Sequence, residues 1–179
     1  MNKRLITLSA IIGLAALSRL LPHPPNVTPI AAMALFAGAH LRNWRIAFLL
    51  PMAAMFLSDL ALGFMVYGVV LLKSQPVVYL CMMVTVGIGR LIENKRSVAQ
   101  VLATTLISAV IFYIVTNFAV WAWGALYPRS GSGLIACYTA AFPFFRNSLI
   151  GDIAFVAVLF GGFAVLERFF VWLREPLPA

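Results

Sequence analysis

The feature that most constrains this chain is a succession of apolar stretches, each about as long as a bilayer is thick and each closed by a short cluster of prolines, glycines or charges. In lipid every backbone N–H and C=O must be satisfied within the protein, so such stretches fold as helices. Composition agrees: 63% of the 179 residues are hydrophobic and 10% are charged, with a mean hydropathy of +1.00. A soluble domain carries about 25% charged residues. At about 20 residues per span plus loops, the length allows about six crossings, and the expected fold is an all-α, polytopic membrane protein, a single six-helix transmembrane bundle.

The expected spans are 5–21, 27–41, 46–64, 76–92, 98–121 and 148–172. The first begins like a signal peptide, with Asn2-Lys3-Arg4 before an apolar run, but Arg19 and further spans follow, so it reads as an uncleaved helix. Pro22, His23, Pro24, Pro25 and Asn26 then break the helix, because the prolines remove donors and clash with the preceding turn. Thr28 before Pro29 suggests an N-cap with proline at the first helical position. Pro51 interrupts the third segment. Residues 65–75 read as a loop or partly embedded linker. The stretch from Trp123 to Asn147 reads as a long interruption, with a polar turn at 127–133 and a short amphipathic or re-entrant helix over 134–145.

The net charge of +8 does not point to nucleic acid, because the thirteen Lys and Arg residues sit at the ends of apolar segments and form no basic stripe. Six crossings put both termini on one side. If that side is cytoplasmic, Lys3, Arg4, Arg42, Arg45, Arg90, Lys95, Arg96, Arg168 and Arg174 lie inside, nine in all, against Arg19, Lys73, Arg129 and Arg146 outside. That bias follows the positive-inside rule and fits a bacterial cytoplasmic membrane.

This topology gathers Arg19, His23, Asn26, Asp59, Cys81, Asn117, Tyr127, Arg146 and Asp152 on the outer half of the bundle. Asp59 is costly within an apolar span and either pairs with Arg19 or Arg146 or contacts a ligand. Asp152, placed one turn into the last expected helix, gains from the N-terminal dipole or meets a ligand. His23 can make loop hydrogen bonds or bind a metal or polar ligand. Trp121 and Tyr127 anchor the interface or close a pocket with their ring faces. Cys81, roughly 7 Å below the start of its helix, is either a small packing residue or a soft ligand. Cys81 and Cys137 form no CxxC or zinc pattern and read as free thiols. The sequence holds no phosphate-binding glycine loop, HExxH or GxSxG, so ATP hydrolysis by this chain alone is not supported.

The blocks His23-Pro24-Pro25-Asn26-Val27-Thr28-Pro29-Ile30, Ala34 to Ala39, Phe56-Leu57-Ser58-Asp59, Thr116 to Trp121, Tyr127-Pro128, Gly133-Leu134, Cys137-Tyr138 through Pro143-Phe144-Phe145, and Gly151-Asp152 resemble a family of small bacterial membrane proteins of uncharacterised function associated with transport. That family is similar to the substrate-binding S components of energy-coupling-factor vitamin transporters. The resemblance implies a six-helix fold, a vitamin bound on the outer side, and a separate coupling protein and ATPases, which the small face of the first helix would dock. The solitary cobalamin S components need no such partners, and a cysteine in the helix after their third can ligate cobalt; Cys81 matches that placement. The resemblance thus implies no intrinsic cofactor, with cobalamin or a related corrinoid as cargo. Two other classes stay open from the residues: a structural or assembly factor, and an intramembrane enzyme acting on a corrinoid.

Overall fold

The computed structural model describes residues 3–64, 75–94 and 96–174. It contains α1 (Lys3–Ser18), α2 (Ile30–His40), α3 (Trp44–Leu62), α4 (Gln75–Arg90), α5 (Val98–Trp123) and a last helix α6 (Gly131–Phe169), followed by a 3-10 turn at Val171–Leu173. The linker expected at 65–75 lies, but for its last residue, outside the described residues. Among the described residues, α3, α5 and α6 are long and apolar enough to cross a membrane, while α2 and α4 are shorter apolar helices. Large apolar side chains on the outer faces, among them Leu14, Leu49, Leu57, Leu80 and Ile107, are exposed as lipid-facing residues are. The protein is a polytopic helical membrane protein.

The core is α2. Every residue from Ala32 to Leu41 is buried, as expected of a helix that is apolar all round. Its small residues let neighbours approach closely. Gly38 faces Gly89 of α4 so tightly that a Cβ on Gly38 would stand 3.0 Å from the Gly89 Cα and closer still to the Val86 carbonyl oxygen, and one on Gly89 would stand 3.1 Å from the Gly38 Cα. Phe36 and His40 stack against Phe160 and Phe163 of α6. Ala15 and Ala16, part of the small face expected on α1, are buried in the chain's own core.

The buried C-terminal end of α2 leaves carbonyls that its own helix cannot satisfy. Three arginines supply donors: Arg4 Nη1 to His40 O (3.1 Å), Arg96 Nη1 to Ala39 O (2.6 Å) and Arg90 Nη1 to Leu41 O (3.2 Å). Cationic groups also favour the negative end of a helix dipole. Arg4 Nε reaches Leu173 O at 2.7 Å, so the start of α1 and the final turn share this end of the bundle.

Several expected boundaries change. Pro29 is itself the N-cap of α2, and no side chain caps that helix. Pro51 lies buried within a continuous α3, whose N-cap Asn43 accepts from Arg45 N and Ile46 N. The largest correction concerns the long interruption: residues 131–147 are the first part of α6, which continues through Pro143 and winds as a π-helix over Ala157–Gly161. A proline removes one helical hydrogen bond, and a transmembrane helix tolerates that where neighbours re-satisfy the freed group. Ser130 starts this helix as N-cap by accepting from Gly133 N.

Candidate functional site

At 39 residues, α6 is about 58 Å long. It passes the α1–α2 connection where Asn147 Nδ2 donates to Pro25 O (3.4 Å) and where Gly151 closely approaches Val27. Before that point it pairs with α5: Tyr113 donates to Tyr138 O (2.6 Å), Tyr138 donates to Ile114 O (2.7 Å), and the two rings meet edge to face. Where α5, α6 and the α1–α2 connection converge, the packing leaves a cavity of about 350 Å³.

One α5 face supplies Phe112, Tyr113, Thr116 and Asn117 to its wall, and one α6 face supplies Phe144, Phe145, Ser148 and Asp152. Both sets recur at three- and four-residue spacing, so each lies on a single helix face. Asn26 closes the cavity from the connection, in the left-handed region at φ 64°. Asparagine is one of the few side-chain-bearing residues that adopt this conformation readily. Asn117 Nδ2 donates to Tyr113 O (2.8 Å), which fixes the amide. Asp152 is buried, at 7% exposure, and its carboxyl makes no hydrogen bond or ion pair among the described residues. It lies twenty-one residues past Gly131. The expected N-terminal dipole contribution is therefore absent, because that effect fades within the first turn.

The other expected site residues lie elsewhere. Asp59 is held by Arg19 Nη2 at 2.6 Å and by the Tyr79 hydroxyl at 3.1 Å, while Arg19 also donates to Ser58 Oγ and to Met55 O. This buried cluster ties the end of α1 to α3 and α4, and it chooses Arg19 over Arg146 as the partner of Asp59. Arg146 is exposed. Cys81 is buried at 2% exposure in α4 and does not line the cavity. Cys81 and Cys137 are both free thiols. His23 is exposed, with Nδ1 2.7 Å from Leu21 O, which is the loop hydrogen bond expected of it. Trp121 Nε1 donates to Pro128 O at 3.1 Å and braces the α5–α6 turn, in which Tyr127 is half-buried.

Of the nine expected residues, the cavity unites Asn26, Asn117 and Asp152. The aromatic walls and the hydroxyls of Thr116 and Ser148 were missed. The signal was present in the spacing of Phe112-Tyr113-Thr116-Asn117 and of Phe144-Phe145-Ser148-Asp152, but the second set is visible only once 131–152 is read as one helix.

A family described as one of unknown function, DUF6580, matches residues 1–175. The chain belongs to that family. Comparison with curated proteins and with solved structures returned no significant match in either. The cavity of this DUF6580 member combines flat aromatic walls, a carboxyl without a partner among the described residues, and amide and hydroxyl groups within the same small volume.

Proposed function

We propose that this DUF6580 protein is a membrane uptake component that binds a compact, vitamin-sized molecule in the α5–α6 cavity. The observation that carries the reading is Asp152. Its carboxyl lines the cavity with no bond to any described residue, and an intramembrane carboxyl facing a cavity points to a substrate or ion. The volume of about 350 Å³ lies at the small end of the range for small-molecule sites. Phe112, Tyr113, Phe144 and Phe145 suit a planar ring, while Asp152, Asn26 and Asn117 suit hydrogen-bond donors or a positive charge on it. The basic end, where Arg4 meets Leu173, faces the cytoplasm of a bacterium, and the cavity lies toward the other side. Without a nucleotide-binding motif of its own, the chain takes energy for transport from the cargo's gradient or from a separate coupling protein and ATPases.

The resemblance to solitary cobalamin S components suggests a corrinoid as the cargo, with Cys81 on cobalt. That version requires α4 to expose Cys81, and it requires α5 and α6 to part, since a corrinoid is larger than the molecules such a cavity holds. One experiment addresses both. Purified protein in lipid nanodiscs is titrated with thiamine, pyridoxine, biotin, riboflavin and cobalamin, for wild type, Asp152→Asn and Cys81→Ala. Saturable binding of a small heteroaromatic that Asp152→Asn weakens at least tenfold supports the reading. Cobalamin binding with a visible-spectrum change lost in Cys81→Ala supports the corrinoid version. Failure of folded wild type to bind any of the five overturns the vitamin assignment.

A further inference from the structure

The opposite, basic end of the bundle carries a second concave region. A cleft of about 180 Å³ is walled by Arg4, Leu5 and Leu8 of α1 and by Ile46 of α3, and it shares Arg42 and Asn43 with an adjoining open depression of about 460 Å³ that extends over Trp44 and Arg45. The two hollows differ in chemistry. The depression is lined by two arginines, an amide and an indole, whereas the cleft beside it is floored by leucine and isoleucine side chains.

Arg42 and Arg45 make no ion pair among the described residues; Arg45 lies over the Trp44 ring, 5.6 Å from its centroid. Glu93 is engaged by Arg90 at 2.9 Å, and Asp59 by Arg19. Arg4, on the cleft wall, donates to Leu173 O and His40 O. Guanidinium groups match phosphate oxygens in a two-pronged geometry. Trp44 is 61% exposed, as befits an indole at headgroup level.

We propose that this region is a binding site for an anionic phospholipid, with its phosphate on Arg42 and Arg45 and one acyl chain entering the Leu5–Leu8–Ile46 cleft. The polar depression and the apolar cleft meet at Arg42 and Asn43, as headgroup and chain meet at the glycerol. A free phosphate would use the arginines and leave the cleft empty.

The test uses the full-length chain in phosphatidylcholine nanodiscs doped with phosphatidylglycerol, with retained lipid counted by native mass spectrometry. Wild type is expected to retain phosphatidylglycerol over phosphatidylcholine, and Arg42→Gln/Arg45→Gln to reduce that preference about 30-fold, the effect of two basic residues at a membrane surface. Both arginines are exposed, so the double variant should match wild type in thermal unfolding in pure phosphatidylcholine. The charge-matched control Arg129→Gln/Arg146→Gln, at the other end, should keep the preference. Equal retention of the two lipids, equal loss in the control, or displacement of the lipid by millimolar inorganic phosphate would each overturn the assignment.

Discussion

Replacing Gly38 by alanine tests the packing on which the whole arrangement rests. The added methyl would stand 3.0 Å from the Gly89 Cα and overlap the Val86 carbonyl oxygen more severely. Carbon atoms at rest stand about 3.5–4.0 Å apart, and the opposing atoms are backbone, so α2 and α4 must separate by about 1 Å. Overpacking of this kind costs about 1–3 kcal/mol, or about a 5- to 150-fold shift in the unfolding equilibrium. Gly87→Ala on α4, two residues before Gly89, is the control, because a Cβ there meets nothing within 4 Å; it should lose nothing and can gain up to about 1 kcal/mol from helix propensity. Reversible unfolding in mixed micelles, read by tryptophan fluorescence, measures both variants. Equal stability of Gly38→Ala and Gly87→Ala would refute the close α2–α4 contact.

Three further outcomes follow from the same geometry. Arg19→Met should cost about 3–5 kcal/mol in the same unfolding assay, because it strands Asp59 among buried groups, whereas Arg19→Met/Asp59→Leu should lose clearly less. Ser97→Ala should cost about 1 kcal/mol by removing the capping box that Ser97 forms with Gln100; a loss below a few tenths would count against that cap. Both thiols are buried at 2% exposure, so maleimide should label folded protein far more slowly than denatured protein, and fast labelling at Cys81 alone would show that α4 opens.

Depth in the membrane was legible in the sequence, and lateral position was not. Runs of apolar residues with Asp59, Asn117 and Asp152 set into them place these groups along the bilayer normal. They do not say which helices touch. That depends on close contacts such as Gly38 against Gly89, which bring α2 to the centre and leave the Asp59 cluster and the Asp152 cavity as separate sites. Proline is a weaker helix breaker in lipid than in water. Pro51 and Pro143 lie within continuous helices, because a chain in lipid has no water to receive its backbone groups and keeps the helix at the loss of one bond. Ending the expected short helix at Phe145 and starting the last span at Ser148 separates Phe144 and Phe145 from Ser148 and Asp152, which share one face of α6 and one wall of the cavity. The arginines at the basic end were legible as topology signals, but their hydrogen bonds to the last carbonyls of α2 required the fold.

If the Asp152 carboxyl serves a ligand and not the fold, the stability of the unliganded Asp152→Asn protein in nanodiscs will reveal it. A cavity-facing carboxyl that no described residue holds contributes no bond to lose, so the substitution should leave stability within about 1 kcal/mol of wild type. A loss of more than about 1 kcal/mol, the worth of an ordinary hydrogen bond, would show that Asp152 holds the helices together and would contradict the account.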